Sequence, residues 1–316
     1  MKPSLRGAEN PAKQRNPSGE EVIAPSAPAL RCELCGSARA RTLYPSLPKL
    51  HRCLDCGLVY THPMPTPGEL LDLYDDQYFV SHSSTVKGYD NYLRDRDNIC
   101  RTFRKRFGYI RSFFTQPGRV LDIGCAAGFF LSVAREMGWE AEGLDISEFA
   151  VELVRAEGFK AFCGPLEDFP QSEKRFDLVT MWDVIEHVPS PKAYLERINR
   201  LLRPGGCLVL ATPVIDSLPR MIFGDRWMGF KEHEHLYFFS SRTLDRILKN
   251  TGFTPLFSKL EGKYISFDLF KRRIGCYSRP ISGILRKFFP PKAVQPFDFY
   301  INPWDIRLVI ARKEAL

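Results

Sequence analysis

The chain has 316 residues, of which 44% are hydrophobic, and a formal net charge of +8. This length holds one large α/β domain and leaves about a third of the chain for additional segments. No apolar run reaches the roughly 18–20 residues that a membrane-spanning helix needs. The first residues also lack the apolar stretch of a signal peptide. We therefore expect neither a membrane span nor secretion.

The basic charge is concentrated in two segments. Residues 86–116 contain 8 Lys and Arg against 3 Asp and Glu, and residues 259–295 contain 9 against 2, whereas residues 119–258 contain 16 against 20. An excess of this kind is typical of contact with nucleic acid, anionic lipid or an acidic substrate, and equally of a solvated surface. These interpretations stay open at this point.

Residues 1–29 are rich in proline and poor in apolar side chains, which predicts a disordered tail. Residues 30–62 then contain two Cys-x2-Cys pairs separated by 17 residues. The four thiols are Cys32, Cys35, Cys53 and Cys56. This spacing is typical of a zinc ribbon. Because four thiolates fill a tetrahedral zinc site and leave no position for water, we expect structural zinc.

The remaining five cysteines are scattered singly along the chain. This usage favours a reducing compartment, in which disulfides between the paired cysteines are disfavoured. We expect a cytoplasmic protein, with peripheral contact at the inner membrane surface as an open alternative.

Residues 63–118 are predicted to be a proline-rich connector followed by lid helices. Apolar side chains recur at helical spacing within residues 90–115, namely at Ile99, Phe103, Phe107, Ile110 and Phe114. Arginines and lysines occupy the intervening positions. The pattern predicts a helix with its apolar stripe on the core and its basic side in solvent.

The most informative stretch lies at residues 119–130. Val120, Leu121 and Ile123 predict a buried strand, Gly124 and Gly128 bracket a tight turn, and a helix follows. A strand, a glycine turn and a helix N-terminus together form a cradle for nucleotide-type ligands.

Strands and helices alternate after this stretch, which predicts a doubly wound, mostly parallel α/β sheet. The predicted strands end at Asp145–Ile146, Cys163, Asp183, Pro213, Leu260 and Arg312. A basic insertion at about 262–304 separates the last two strands. We consider it a membrane-touching amphipathic helix, a substrate lid or an oligomer contact.

Two positions narrow the class of ligand that this turn can bind. Dinucleotide-binding loops have glycine at the second position of G-x-G-x-x-G so that the backbone can approach a pyrophosphate, but this chain has Ala126 there. Asp145 lies 21 positions after Gly124, where an acid can accept both ribose hydroxyls. The pair indicates an adenosine ligand without phosphates and disfavours an NAD-dependent oxidoreductase.

The motifs in series resemble those of a class I S-adenosylmethionine (SAM)-dependent methyltransferase, in the branch with ubiquinone-type O-methyltransferases. They are Asp122-Ile-Gly-Cys-Ala-Ala-Gly128, Asp145, Glu167-Asp168, Asp183-Val-Ile-Glu-His187 and Leu202-Arg-Pro-Gly-Gly206. The resemblance covers residues 119–260 and the last strand. It implies a Rossmann-like seven-stranded sheet with an antiparallel last strand, within a domain at 119–316. The cysteine ribbon resembles fusions on bacterial methyltransferases of natural-product and surface-sugar pathways.

The resemblance also implies roles for individual residues. The glycine loop would lie against the methionine and ribose, Asp122 would face the amino group, and Asp145 would bind the ribose hydroxyls. Glu167 or Asp168 would meet the adenine amine, and Asp183 would lie at the mouth of the site. The full implied cofactor set is Asp122, Gly124, Cys125, Ala126, Gly128, Asp145, Ile146, Glu167, Asp168 and Asp183.

Methyl transfer to a hydroxyl needs alignment of donor and acceptor and a base for the departing proton. Histidine suits this role at neutral pH, and His187, His233 and His235 are the candidates. His233-Glu234-His235 superficially suggests a metal site, but two histidines two positions apart without a clear third ligand favour a base or acceptor-binding role.

The leading hypothesis is therefore methylation of a small-molecule acceptor, on a hydroxyl of a sugar, quinone-like or natural-product compound. One alternative is an RNA methyltransferase that grips phosphates with the ribbon and the basic flanks. Another is a non-catalytic zinc-ribbon interaction protein. The oligomeric state and the acceptor cannot be derived from these residues.

Overall fold

The computed structural model describes residues 14–15, 21–22, 31–66, 68–69, 92–170, 176–231, 234–277 and 297–314. Most of the predicted tail, most of the connector and residues 278–296 of the insertion lie outside these ranges. Within the tail, Gln14–Arg15 pairs antiparallel with Glu21–Val22. Among the described helices, none is long and apolar enough to span a membrane.

The described core alternates strands and helices as predicted. The strands are β1 (Ala40–Tyr44), β2 (Leu47–Cys53), β3 (Val59–Thr61), β4 (Arg119–Ile123), β5 (Glu140–Asp145), β6 (Lys160–Cys163), β7 (Phe176–Trp182), β8 (Leu202–Pro213), β9 (Tyr237–Phe238), β10 (Phe253–Ser266) and β11 (Asp298–Lys313). The α-helices are α1 (Arg96–Ile110), α2 (Phe129–Glu136), α3 (Glu148–Ala156), α4 (Pro191–Leu201), α5 (Leu218–Phe223), α6 (Ser241–Asn250) and α7 (Phe267–Tyr277).

The large sheet has seven strands in the order β10-β11-β8-β7-β4-β5-β6. Strands β4 to β8 pair in parallel, and β11 runs antiparallel to both β8 and β10. The Rossmann-like α/β fold with an antiparallel last strand is therefore confirmed. The chain order changes direction next to β4, and in such sheets ligands bind at the carboxyl edge beside this switch point.

Helix α1 carries the predicted apolar stripe, with Phe103, Phe107 and Ile110 buried. The prediction that its basic residues all face solvent is wrong for Arg106, which is only 4% exposed. Its guanidinium lies 5.3 Å from the centre of the Trp182 ring. A long side chain can pack its stem on apolar surface in this way, so helical spacing alone does not reveal which cation is buried.

The last two strands are longer than predicted. Strand β10 continues from Leu260 to Ser266, and β11 begins at Asp298, so the two pair far beyond the rest of the sheet. Buried Glu261 anchors this extension, because its carboxylate accepts from Lys105 Nζ at 2.8 Å and from the Tyr300 hydroxyl. Part of the predicted insertion is therefore sheet, followed by helix α7.

The cysteine-containing segment forms a small antiparallel sheet in the order β9-β3-β2-β1. Strand β9 comes from the region after β8, about 180 residues later in the chain, and Tyr237 pairs with Tyr60. The backbone carbonyl of Leu236 also accepts from Thr61 N–H at 2.8 Å. The ribbon and the large domain thus share a sheet. The predicted boundary at residue 62 gives no indication of this pairing.

Candidate functional site

The glycine turn after β4 has an unusual backbone. Gly124, Ala126 and Gly128 have φ angles of 71°, 47° and 74°. Left-handed backbone is open to glycine but is unfavourable by roughly 1–2 kcal/mol for other L-residues. A Cβ atom at Gly124 would also lie 2.5 Å from Val184 Cγ2. Gly124 is therefore required by packing as well as by conformation.

Asp145 at the end of β5 holds this turn in place. Its Oδ2 accepts the Ala126 N–H at 2.8 Å and its Oδ1 accepts the Ser147 N–H at 3.0 Å. These bonds to a charged acceptor offset the strain at Ala126. Burial raises the pKa of Asp145, and the backbone donors oppose that rise. A carboxylate has about four lone-pair sites, so it retains capacity for further donors.

Asp122 lies behind the turn and is 1% exposed. Its Oδ1 accepts from the Thr180 hydroxyl at 2.6 Å, which connects β4 to β7. Burial, with a contribution from Asp145, raises the pKa of Asp122 to about 8. A cationic ligand group nearby would lower that pKa and favour the carboxylate.

Cys125 and Ile146 differ in what they can offer a ligand. The Cys125 side chain is buried in an apolar cluster with Leu131, Val154 and Phe159. Only the Cys125 backbone could therefore touch a ligand. Ile146 is half-buried next to Asp145, at the carboxyl edge of the sheet.

Glu167 and Asp168 lie in a single 3-10 turn, Leu166–Asp168, and both are exposed. Arg197 of α4 fixes this segment, because its guanidinium donates to the carbonyls of Leu166 and Phe169 at 2.6 and 2.7 Å. Sequence reasoning missed Arg197. Its signal in the sequence, an arginine among the residues of α4, is not distinguishable from a solvated residue.

Asp183 follows β7 with a φ of 55°, a conformation rare for residues other than glycine. Its N–H donates to the Ala211 carbonyl at 2.8 Å, which continues the pairing with β8. Its Oδ1 is buried and has no hydrogen-bond partner among the described residues. Strained residues of this kind cluster at functional sites.

Glu186, His187 and His235 converge close to Asp183. One ligand atom from each lies within 4.8 Å of the others, and the two imidazole rings are 4.6 Å apart. The structure thus brings two of the three candidate histidines together. His233, the third, lies outside the described residues.

Both imidazoles are oriented by backbone carbonyls. His187 Nδ1 lies 2.8 Å from the Glu234 carbonyl and His235 Nδ1 lies 3.1 Å from the Gly229 carbonyl. A carbonyl accepts only, so each Nδ1 carries the proton and each Nε2 bears the lone pair of the neutral ring. Burial lowers the pKa of His187 to about 4 and lowers that of His235 as well.

Glu186 is 1% exposed and completes this group. Its Oε2 accepts from the Thr212 hydroxyl at 2.9 Å, and its Oε1 lies 3.9 Å from His187 Nε2. Burial and the nearby Asp183 raise the pKa of Glu186 to about 8. When His187 takes up a proton, the neighbouring Glu186 carboxyl group can therefore ionise and stabilise the positive charge.

The four paired cysteines converge within the ribbon. The Sγ atoms of Cys32 and Cys56 are 3.5 Å apart, and those of Cys35 and Cys53 are 3.6 Å apart. A disulfide would require about 2.05 Å, whereas Zn–S bonds of about 2.3 Å give tetrahedral S–S edges near 3.7 Å. The donor set and its spacing fit a tetrahedral zinc ion.

The cysteine site adjoins the histidine cluster through strand β3. The Thr61 hydroxyl donates to the backbone carbonyl of His235 at 2.9 Å. The Ser190 hydroxyl, just after the exit of β7, donates to Glu33 Oε1 between the first two cysteines. The ribbon therefore supports the loop that carries His235.

Comparison with known proteins places these features in a family. Residues 92–256 match the family described as "Methyltransferase domain". "Ubiquinone biosynthesis O-methyltransferase" of Coxiella burnetii is 29% identical over 114 residues, which are 34% of this chain and 49% of that protein. The protein of the same name from Bradyrhizobium diazoefficiens is 32% identical over 124 residues, which are 37% of this chain and 47% of that protein. The chain spans about half the length of these curated relatives.

A solved structure supports the fold. This chain is similar to a chain in the structure of the complex between the Haloferax volcanii Trm112 methyltransferase activator and a methyltransferase, with a TM-score of 0.51 and 17% sequence identity. The match covers 71% of this chain and 95% of that chain. The family match spans α1, the glycine turn, Asp145 and the His187–His235 cluster. This chain therefore belongs to the family of methyltransferase domains.

Proposed function

We propose that this chain transfers a methyl group from SAM to a hydroxyl of a small-molecule acceptor. The observation that carries the proposal is the bond from Ala126 N–H to the Asp145 carboxylate at 2.8 Å. It fixes a glycine turn without the second glycine of pyrophosphate-binding loops, and it places an acid beside that turn. The O-methyltransferase names of the two relatives support the choice of a hydroxyl.

The donor would occupy the carboxyl edge around β4 and β5. Asp145 would accept the ribose hydroxyls with the lone pairs that Ala126 and Ser147 leave open. Asp122 would face the ammonium group of the methionine, directly or through water. Backbone atoms of Gly124, Cys125, Ala126 and Gly128 would line the turn. Ile146 and either Glu167 or Asp168 would lie by the adenine.

The acceptor would enter beside Asp183 and the histidine cluster. As its oxygen forms a bond to the methyl carbon, the methyl–sulfur bond breaks and S-adenosylhomocysteine remains. His187 Nε2 would take the hydroxyl proton, because its Nδ1–H is held by the Glu234 carbonyl. Glu186 and His235 would position that ring, and His233 stays a candidate for acceptor binding. Alignment and proton removal are the protein's contributions.

Structural zinc would be held by Cys32, Cys35, Cys53 and Cys56. A closed four-thiolate site supplies folding energy and no reactive position. The zinc would therefore stabilise β3 and the loop that carries His235, rather than take part in methyl transfer.

Calorimetry with S-adenosylhomocysteine and NADH tests the donor assignment. We expect saturable binding of S-adenosylhomocysteine only. Asp145→Ala should weaken it about 10–100-fold, since a hydrogen bond to a charged group contributes about 1.5–3 kcal/mol. Glu152→Ala, an exposed acid on α3, is the matched control and should bind normally. Unchanged affinity in Asp145→Ala would refute the ribose assignment.

A further inference from the structure

We propose that the methyl acceptor carries an oxyanion, which binds a cationic subsite formed by Arg106 and Lys263 beside Asp183. The inference rests on the proposed function, because it assigns the substrate class of that same site. Arg106 lies in the first of the two basic segments of the sequence, and Lys263 lies in the second.

Strand register places Lys263 at the carboxyl edge of the sheet. Trp182 pairs with Ala211 at the ends of β7 and β8, and Pro213 pairs with Ile306 of β11. Ile306 pairs in turn with Glu261, two residues before Lys263. The edge that carries Asp183 therefore continues across β8 and β11 to Lys263, on the side away from the proposed donor turn.

Helix α1 brings Arg106 to the same place. The Thr102 hydroxyl, one turn before Arg106, accepts from Tyr264 N–H at 2.9 Å, so α1 packs directly on β10 next to Lys263. Arg106 also lies over the ring of Trp182, the residue before Asp183. Arg106 therefore connects the end of β7, at Trp182, with β10 next to Lys263.

Two buried donors at this point have no acceptor among the described residues. They are Arg106 Nε and Trp182 Nε1, in side chains that are 4% and 9% exposed. A buried donor left unpaired costs about 1–3 kcal/mol, so such groups in native proteins call for a partner. An oxyanion is an acceptor-only group and satisfies N–H donors and positive charge together.

The local charge balance favours an anion. Burial lowers the pKa of Lys263 to about 7, and the positive charges of Arg273 and Arg106 add to that shift while Asp183 and Asp305 oppose it. Asp305 accepts from Trp227 Nε1 at 3.3 Å, and burial raises its pKa. Three basic side chains thus face two acids at this point.

Asp183 Oδ1 also has no hydrogen-bond partner among the described residues; it is an acceptor and needs a donor. A hydroxyl group supplies one. The subsite therefore fits a hydroxylated small molecule with a phosphate or a carboxylate, the hydroxyl next to Asp183 and His187 and the oxyanion next to Arg106.

The first test uses sodium pyrophosphate and sodium malonate as probes, added to the full chain saturated with S-adenosylhomocysteine. Against sodium chloride of equal ionic strength, we expect saturable thermal stabilisation by at least one probe. Pyrophosphate would indicate a phosphorylated acceptor and malonate a carboxylated one. Lys263→Met and Arg106→Lys should each weaken the effect at least tenfold, whereas Lys249→Met, an exposed lysine on α6, should not.

Stabilisation by neither probe, or equal stabilisation in both subsite variants, would overturn the subsite. Binding of S-adenosylhomocysteine serves as the separate readout of folding and of the proposed function. If it is absent from the wild-type chain, the proposed function fails. If it is present while the probes have no effect, only the subsite fails.

The second test follows the acceptor itself. Small-molecule extract is separated on an anion-exchange resin, and each fraction is assayed for transfer of tritium from labelled SAM. We expect the acceptor activity to bind the resin and to elute with salt. Phosphatase treatment abolishes this retention for a phosphorylated acceptor and leaves it for a carboxylated one. Activity in the unbound fraction, from a neutral or lipid acceptor, would contradict the proposal.

Discussion

At the scale of single residues, the site combines buried acids with two neutral histidines. Asp122 is the clearest case, because it is buried and its pKa is raised to about 8. Between the ordinary value near 4 and this pKa, the unfolded chain loses the proton while the folded chain keeps it. The stability that Asp122 contributes is therefore present at acid pH and lost as the pH rises toward 8.

Asp122→Asn tests this directly. The amide oxygen still accepts from Thr180, and no charge needs to be buried, so we expect the variant to gain stability over the wild type as the pH rises from 4 to 8. The gain should be on the order of a few kcal/mol. Donor affinity should fall at least tenfold, since the ammonium partner is lost. Thermal melts at several pH values and calorimetry measure the two effects; a variant that binds the donor normally would contradict the role of Asp122.

His187 makes the corresponding prediction for catalysis. Replacing it with Gln should lower the rate of methyl transfer about 10²–10⁴-fold and leave donor affinity unchanged, because only proton removal is affected. The folded-state pKa of His187, about 4, lies below the ordinary 6.5. Protonation of the unfolded chain therefore destabilises the fold as the pH falls from 6.5 toward 4, by up to about 3 kcal/mol.

The variant should accordingly lose less stability than the wild type over that pH range. Rapid-quench kinetics with tritiated donor and thermal melts at pH 5 and pH 7 supply the measurements. Equal rates in the two proteins would remove His187 from the mechanism, whatever the melts show.

At the scale of elements, the ribbon and the domain act on each other through β3 and β9. Cys53→Ser/Cys56→Ser should lose about one zinc ion per chain, because two thiolates do not close a tetrahedral site. Since Thr61 bonds the backbone of His235, we also expect the rate to fall at least tenfold while S-adenosylhomocysteine still binds. Cys163→Ser, at a single half-buried cysteine, is the matched control.

Metal analysis and calorimetry of both proteins check the outcome. Full zinc content in the double variant would contradict the four-thiolate site. Normal turnover without zinc would show that the ribbon does not position His235.

Much of the element pattern was predictable because it depends on local signals. The buried run Val120, Leu121 and Ile123 with glycines after it defines β4 and its turn, and Ser147 caps α3 by accepting from the Ala150 N–H. Non-local pairing was not predictable. Strand β10 extends through Glu261 because α1 and β11 satisfy that carboxylate, and no neighbouring residue signals those partners.

The same limit applies to the candidate site. An acid at Asp145 follows from strand spacing, whereas its bond to Ala126 depends on a left-handed turn that the residue type disfavours. Thr180, Thr212 and Arg197 orient site residues from elements far away in the chain. Sequence spacing cannot report such contacts, since each of these side chains would look ordinary on a surface.

At the scale of the whole molecule, one carboxyl edge would serve the entire proposed reaction. The glycine turn and Asp145 lie on one side of Asp183, and the histidine cluster, the buried Arg106 and the extended β10–β11 pair lie on the other. The ribbon supports the histidine side from behind. Donor and acceptor would therefore meet at the end of β7, which is where a sheet with this strand order presents its ligand crevice.

The most direct test of this account measures where the methyl group goes. The full zinc-loaded chain is incubated with methyl-tritiated SAM and a cell extract, and the products are divided into small molecules, RNA and protein. We predict that label enters the small-molecule fraction with the wild-type chain and with Glu152→Ala, but not with Asp145→Ala. Label in RNA or protein, or no transfer by a chain that binds the donor, would contradict the account.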